Sequence, residues 1–186
     1  MPKVVDHTAR RRELAEAVWR VIARDGVAGV SIRGVATESG WSSGALRHYF
    51  ATRDELLAFA CEQVTARVTE RIQRLDPPGT LRQQVGAVLA EIMPLDPERR
   101  IEASISFSFL ALGLGDPALA RVQREQYTAL YDLCRQLVRH LTGDEAAARR
   151  LHAVVDGLSV QILAGHLTPG LAAAELDAYL DELAPG

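Results

Sequence analysis

The 186-residue sequence lacks the features that mark several large protein classes. It holds no low-complexity tract, no internal repeat and no run of 18 apolar residues, so it predicts neither a disordered tail nor a transmembrane helix. Its first residues include no apolar segment of the kind that a secretory signal needs, and we expect a cytoplasmic protein. The apolar fraction of 48% is large enough for a hydrophobic core.

Motifs of catalysis and metal binding are also missing. There is no Gly-x-Ser-x-Gly, no glycine-rich phosphate loop, no HExxH and no close pair of carboxylates. Cys61 and Cys134 match no metal-binding spacing and no CxxC motif, and we expect half-buried reduced thiols. The five histidines are scattered, and none pairs with another ligand at a spacing that supports a metal. We therefore expect no cofactor and no metal, with a catalytic helical body as the disfavoured alternative.

Charge is distributed unevenly along the chain. Residues 1–53 carry nine Lys/Arg and five Asp/Glu, a balance of +4, whereas residues 54–186 carry 12 and 19, a balance of −7. A basic N-terminal segment followed by an acidic remainder is typical of a small nucleic-acid-binding module joined to a larger domain. We therefore predict two domains, residues 1–53 and 54–186.

Glycine and proline divide the chain into helical segments, and no stretch alternates apolar and polar residues with the period of a strand. We predict an all-α fold of about nine helices. They cover residues 8–25, 32–39, 43–49, 53–72, 80–93, 98–114, 117–141, 145–163 and 171–183. The predicted N-caps, whose side-chain oxygens can accept from an amide of the first turn, are Ser31, Ser42 or Ser43, Thr52 and Thr80.

Residues 31–50 carry the most informative pattern. Two short helices joined by a glycine-containing turn follow a longer amphipathic helix, which is the form of a helix-turn-helix unit. The third helix begins with four small residues that let its backbone approach the floor of a DNA major groove: Ser42, Ser43, Gly44 and Ala45. Arg47 then offers two parallel donors that match O6 and N7 of guanine.

Other side chains around this unit can donate to DNA phosphates. We predict such contacts from His48 and Tyr49 at the end of the third helix, and from Thr37 on the second. The positively charged candidates that would flank the groove are Arg10, Arg33 and Arg53. Tyr49 is equally consistent with a packing role. Trp41 is predicted to fill the core beside the turn, and Glu38 to be only solvated.

Residues 8–57 resemble the TetR/AcrR family of bacterial regulators throughout. The matching segments are residues 25–26, 30–33, 35–36, 40–42, 44–46, 49–50 and 53–57. The family usually has a tyrosine where this chain has Arg47 and a lysine where it has Arg53, and the first change leaves the operator sequence open. Farther along, residues 155–158 (Val-Asp-Gly-Leu) resemble the BetI-like subset of that family.

The resemblance implies a DNA-binding transcriptional regulator, usually a repressor, that a small-molecule effector releases from a near-palindromic operator. It also implies a homodimer whose interface is formed by the helices at about 145–165 and 171–183. We assign to that interface an apolar stripe of Leu151, Val154, Val155, Leu158, Ile162 and Leu163, with Gly157 and Ala164 permitting close approach. A DNA binder that activates, or that needs no ligand, stays open as an alternative.

Candidate effector-binding residues lie on the fourth, sixth, seventh and eighth predicted helices. They are Phe59, Glu102, Phe107, Leu110, Tyr127, Tyr131, Cys134 and Asp156. Glu102 and Asp156 are the possible charged anchors, because acids among aromatic rings favour a cationic ligand. Any one of the aromatic residues is also consistent with a plain core position. Asp156 has a second interpretation, as a hydrogen-bonded buried acid at the dimer interface.

Overall fold

The computed structural model of the chain describes residues 7–115 and 117–184. These residues form nine α-helices and no β-strand, which confirms the predicted all-α class. The chain divides into two compact units between Val64 and Thr65. No helix among the described residues is both long enough and apolar enough to cross a membrane.

The helices follow one another with short connections. In the first unit, α1 covers His7–Asp25, α2 covers Ile32–Ser39 and α3 covers Ser43–Tyr49, with a 3-10 turn at Val27–Gly29 after α1. Helix α4, Arg53–Arg74, begins in the first unit and ends in the second. The second unit then contains α5 (Leu81–Ala90), α6 (Pro97–Gly115), α7 (Pro117–Thr142), α8 (Ala148–Leu163) and α9 (Pro169–Leu183).

Hydroxyl side chains cap the N-termini of five of these helices, Thr168 of α9 among them. The other four are the caps that the sequence predicts. Each accepts a hydrogen bond from the amide three residues further on: Ser31, Ser42, Thr52 and Thr80. At Thr80 the bond is reciprocated, because the Gln83 side-chain oxygen accepts from the Thr80 amide at 2.8 Å and closes a capping box. A cap of this kind contributes about 1 kcal/mol to helix stability.

Two helix ends differ from the prediction by three residues, and the other ends agree within two residues. Helix α5 ends at Ala90 rather than at residue 93, because Glu91 and Ile92 donate to carbonyls only three residues back and the last turn tightens. Helix α8 begins at Ala148 rather than at residue 145. There the Asp144 carboxylate accepts from the amides of Glu145 and Ala146, which holds these residues in a turn before the helix.

The core of the first unit joins its three helices. Leu14 and Val18 on α1, Val35 on α2 and Leu46 on α3 are each at most 1% exposed. Between α2 and α3, Gly40 has φ = +73°, a left-handed conformation that strains any residue with a Cβ. This glycine ends α2 and turns the chain, and the Trp41 amide then donates to the Ala36 carbonyl at 3.0 Å.

The core of the second unit draws on α5, α7, α8 and α9. It includes Leu89, Cys134, Leu151 and Leu180, all fully buried. Four residues that the sequence analysis assigned to the dimer interface also lie in this core, namely Leu151, Val155, Leu158 and Ile162, with at most 8% exposure. For Leu151, Val155 and Ile162 the interface prediction was wrong, because side chains so fully covered by their own protomer present no surface to a partner. Leu158 also lines a groove between α8 and α9 and keeps a small exposed area.

A buried ion-pair network fixes the end of α4 in the second unit. The Arg71 guanidinium donates to both carboxylate oxygens of Glu102 on α6, at 2.6 and 2.5 Å. It also donates to the Glu91 carboxylate at 2.9 Å and to the Glu91 carbonyl at 3.1 Å. Arg99 pairs with the same Glu91 carboxylate at 3.2 Å. The Glu102 carboxylate is only 4% exposed, and the two hydrogen bonds from the Arg71 guanidinium offset the cost of burying its charge. A lysine could not form this two-point contact, because its ammonium group is a single point charge.

Removal of one partner of this network should destabilise the protein more than removal of both. Arg71→Met leaves the Glu102 carboxylate buried without its partner, which should lower the free energy of unfolding by about 3–5 kcal/mol. The double variant Arg71→Met/Glu102→Met should regain most of that loss, because two apolar side chains of similar volume need no compensation. Urea unfolding of both variants measures the difference, and equal losses would contradict this account of the network.

Candidate DNA interface and effector site

Helix α3 is held by one residue and exposes the others. Leu46 is fully buried in the core of the first unit. The side chains on the rest of α3 and at its N-cap are exposed: Ser42, Ser43, Gly44, Ala45, Arg47, His48 and Tyr49. The first turn therefore offers a surface of small side chains, and Arg47 follows it with a guanidinium that reaches into solvent. The residues predicted to read base edges share one accessible helix.

Four arginines of the first unit fall into two groups. Arg20 and Arg24 on α1 donate to the Glu38 carboxylate on α2 at 2.7 and 2.9 Å, and these hydrogen bonds hold the pKa of Glu38 below its ordinary value. The prediction that Glu38 is only solvated was therefore wrong. Arg33 and Arg47 are exposed, and no carboxylate among the described residues pairs with them. Their positive charge is available to an anionic partner.

An aromatic contact connects the start of α1 to the end of α3. The Arg10 guanidinium lies 5.4 Å from the centre of the Trp41 ring, within cation–π range. The Tyr49 ring meets Trp41 edge-on at 5.5 Å, and Tyr49 is 41% exposed. Trp41 is half-buried, so it both packs, as predicted, and positions a cationic side chain at the edge of the α3 surface.

Two residues that are predicted to contact DNA phosphates already donate hydrogen bonds to backbone carbonyls of this protein. Arg53 donates to the Val27 carbonyl at 2.8 Å and to the Val30 carbonyl at 3.0 Å, which ties the start of α4 to the turn before α2. The Thr37 hydroxyl donates to the Arg33 carbonyl at 3.0 Å, so it must rotate before it can donate to a phosphate. Both contacts stay predictions.

In the second unit, four side chains of α7 and α8 form a polar and aromatic cluster, which we call the Tyr–His–Asp cluster. The rings of Tyr127 and Tyr131 have their centres 5.4 and 6.4 Å from that of His152. His152 Nε2 lies 3.4 Å from an oxygen of Asp156, one turn further along α8. Arg149 places its guanidinium 4.8 Å from the centre of the Tyr131 ring. The four side chains of the cluster thus provide two tyrosine rings, one imidazole and one carboxylate, and the Arg149 guanidinium lies beside them.

Burial raises the pKa values of three groups in or beside this cluster. Desolvation raises the pKa of Asp156, although the charge of His152 and a hydrogen bond from Tyr127 act against that rise. Desolvation and the nearby Asp156 charge raise the pKa of the Tyr127 hydroxyl. The same two causes raise the pKa of the buried Cys134 thiol to about 12. Cys134 is therefore a protonated thiol at neutral pH, without the thiolate character of a redox sensor.

The other predicted effector residues lie elsewhere. Phe59 is in the core of the first unit, where its ring centre is 5.1 Å from that of Phe50. Glu102 is already paired with Arg71, so its charge needs no ligand. Phe107 and Leu110 are half-buried on α6. Among the described residues, no three potential metal ligands lie together.

His152 is a residue of this cluster that the sequence analysis did not select. Its signal was present, because His152 and Asp156 are four residues apart and share one face of a helix. The spacing was examined only for metal binding, which needs more ligands. Contact with the tyrosines of α7 depends on the packing of two helices, and the sequence of α8 alone does not contain that information.

The outer surface of α8 and α9 forms a groove of about 400 Å³. Small, apolar and polar residues line it together: Ala153, Val154, Gly157, Leu158 and Gln161 on α8, and Glu175, Ala178, Tyr179 and Glu182 on α9. Val160 and Leu171, on the same two helices, are 46% and 57% exposed. The outward face of this helix pair therefore combines small residues with exposed aliphatic side chains.

Replacement of Asp156 by its neutral isostere should stabilise the free protein as pH rises. Because the folded state raises the pKa of this carboxyl, ionisation is harder in the folded than in the unfolded chain, and stability is lost as pH rises through the folded-state pKa. Asp156→Asn avoids that loss. Its melting temperature should exceed that of the wild type at pH 7, by about 2–4 °C for each kcal/mol regained, and should converge with it near pH 4.

Asp132→Asn is the matched control, because Asp132 lies on α7 beside Arg135 with its side chain 43% exposed. It should leave the melting temperature nearly unchanged across the same pH range. A lower melting temperature for Asp156→Asn at pH 7 would show that the ionised carboxylate stabilises the free protein.

Comparisons with known proteins place this geometry in a family. The profile of bacterial regulatory proteins of the tetR family matches residues 14–59, which include α2, α3 and the turn between them. The profile of the C-terminal part of BetI-type transcriptional repressors matches residues 81–185. The HTH-type transcriptional regulator PksA of Bacillus subtilis (strain 168) is 38% identical over 177 residues, covering 88% of this chain and 83% of PksA.

Solved structures agree with these matches. A transcriptional regulator from Rhodococcus sp. Rha1 is 27% identical, with a TM-score of 0.81, and the match covers 93% of this chain and 95% of that one. The multidrug binding protein EbrR, solved in complex with ethidium, is 28% identical with a TM-score of 0.68, covering 92% of this chain and 98% of EbrR. The chain therefore belongs to the TetR family of DNA-binding transcriptional regulators, which are not enzymes, and its second half is of the BetI type.

Proposed function

We propose that this regulator is a repressor that binds a near-palindromic operator as a homodimer and releases it when a small organic cation binds the Tyr–His–Asp cluster. The observation that carries the DNA-binding part is the exposed surface of α3, which the single buried residue Leu46 attaches to the core. Repression is supported by the match of residues 81–185 to BetI-type transcriptional repressors.

On the operator, we assign recognition of base edges to Arg47 and contacts with the DNA backbone to the residues around it. The guanidinium of Arg47 is exposed and unpaired among the described side chains, so it can donate to O6 and N7 of a guanine. Arg33, His48 and Tyr49 are exposed beside it and supply phosphate donors. Arg10, which rests on the Trp41 ring, extends the positive surface beyond α3.

The proposed dimer forms through the outer face of α8 and α9. Leu151, Val155 and Ile162 of the predicted stripe belong to the protomer core, whereas Val154, Gly157 and Leu158 line the groove. The surface that we assign is therefore the grooved face, with Val160 and Leu171 exposed on the same helices. Small side chains there let two helix pairs approach closely. A Cβ added at Gly157 would meet nothing within 4 Å in the protomer. In such a dimer, the α3 helix of each protomer reads one of the two half-sites of a near-palindromic operator.

The effector class follows from the chemistry of the Tyr–His–Asp cluster. A partly buried carboxylate next to two tyrosine rings attracts organic cations through charge and through cation–π contacts. EbrR, which is 28% identical to this chain, was solved with ethidium, a planar aromatic cation. Of the described helices, α4 alone crosses from the second unit into the first. We therefore assign it the transmission of effector binding to the DNA-binding unit, which requires different effector affinities in the two states.

Loss of the Arg47 guanidinium should weaken operator binding and relax its specificity. Duplexes selected from a random library should yield a near-palindromic consensus, and Arg47→Ala should reduce affinity for it by the equivalent of about 1–3 kcal/mol. Arg24→Ala is the matched control, because it removes the same charge from a guanidinium that Glu38 and Asp25 already compensate. Fluorescence anisotropy at two salt concentrations measures both, and affinity should fall steeply with salt. Recovery of no consensus would contradict the proposal.

A bulky charge at Gly157 should prevent dimerisation while leaving the protomer folded. Because the space beside Gly157 is open in the protomer, Gly157→Arg should fold normally and then clash with the partner helix. Gly115→Arg, at an equally open glycine at the end of α6, is the matched control. Light scattering after size exclusion should show a dimer for the wild type and the control, and a monomer for Gly157→Arg. A dimeric Gly157→Arg protein would exclude this face as the interface.

A further inference from the structure

We infer that the His152 side chain occupies, in the free protein, the position that a cationic effector takes in the Tyr–His–Asp cluster. The inference rests on the effector site proposed above and concerns how that site is regulated. In this arrangement His152 is an internal competitor that the effector must displace. The evidence is the placement of the imidazole ring, the state of its Nε2 atom and the charge of the groups that surround it.

The imidazole lies where the cluster would attract a cation. Its ring centre is 5.4 Å from that of Tyr127, within the range of ring–cation contacts, and 6.4 Å from that of Tyr131. Its Nε2 points to the Asp156 carboxylate at 3.4 Å. The Tyr131 ring already holds the Arg149 guanidinium at 4.8 Å, which shows that this aromatic surface accepts cationic groups.

The Nε2 atom is the least satisfied atom of the cluster. It is buried and has no hydrogen-bond partner, although the Asp156 oxygen is only 3.4 Å away. A histidine with a purely structural role normally has its buried nitrogen hydrogen-bonded, because an unmet polar group costs about 1–3 kcal/mol. This side chain is therefore held by its ring contacts and by the nearby Asp156 carboxylate rather than by a closed hydrogen bond, and a cation can replace it.

The groups that surround the ring decide what can take its place. The ionisable groups that face the ring are Tyr127 and Tyr131 from α7, and Arg149 and Asp156 from α8. On α6, Glu102 is paired with Arg71, and Arg100 donates to the carbonyls of Ile162 and Leu163.

Ethidium fluorescence and calorimetry on the full-length chain test the inference. His152→Ala empties the position and should bind ethidium about tenfold more tightly than the wild type at the same pH. Calorimetry measures the same two affinities independently of the fluorescence of the dye.

Three further variants make the result interpretable. His152→Gln keeps a polar side chain and should shift ethidium affinity in the same direction if His152→Ala unfolds. His140→Phe removes an exposed histidine near the end of α7 and should bind ethidium with the affinity of the wild type. Asp156→Asn removes the carboxylate and should weaken ethidium binding by at least about tenfold, the equivalent of 1.4 kcal/mol.

The possible failures are distinguishable. If ethidium binds wild type and both His152 variants equally, His152 is no competitor. The proposed effector site would still stand in that case, provided that Asp156→Asn weakens binding. If neither the wild type nor the His152 variants bind ethidium, the cluster takes no such cation, and the effector site and the inference fail together.

Discussion

Arginine side chains that reach from one element to the backbone carbonyls of another hold this all-helical chain together. Helix C-termini leave up to four carbonyls without partners, and a guanidinium supplies five donors in a rigid plane. Arg53 donates to the residues that flank the 3-10 turn, and Arg71 and Arg99 donate to carbonyls at the end of α5. Arg100 donates to the last carbonyls of α8, and Arg82 to a carbonyl of α9. Among the 21 basic residues of the sequence, Lys3 is the single lysine.

The sequence predicts the helices of this fold well because their ends depend on local chemistry. A hydroxyl at an N-cap and a glycine in the left-handed region each act within one turn, so Ser31 and Gly40 bound α2 where predicted. The two errors arose where another local group intervened. A tightened last turn shortened α5, and the Asp144 carboxylate delayed the start of α8.

The two candidate sites differ in how much of them the sequence contains. The α3 surface lies on one short helix, so its exposed residues could be predicted from the position of Leu46 alone. The Tyr–His–Asp cluster needs the register between α7 and α8, which no local pattern specifies. The same reason explains the error at the dimer face. An apolar stripe on α8 shows that the helix is covered, but the stripe does not show whether α8 packs on its own protomer or on a partner.

The attachment of α3 by a single core residue also bears on how such regulators diverge. Substitutions at the exposed positions of α3 leave Leu46 and the capping hydroxyl of Ser42 in place, so folding and target choice are under nearly separate selection. After a gene duplication, one copy can accumulate changes at these positions and acquire a new set of target genes without first losing stability. The effector-binding half can then diverge at its own pace, so that sensing and target choice are recombined as independent traits.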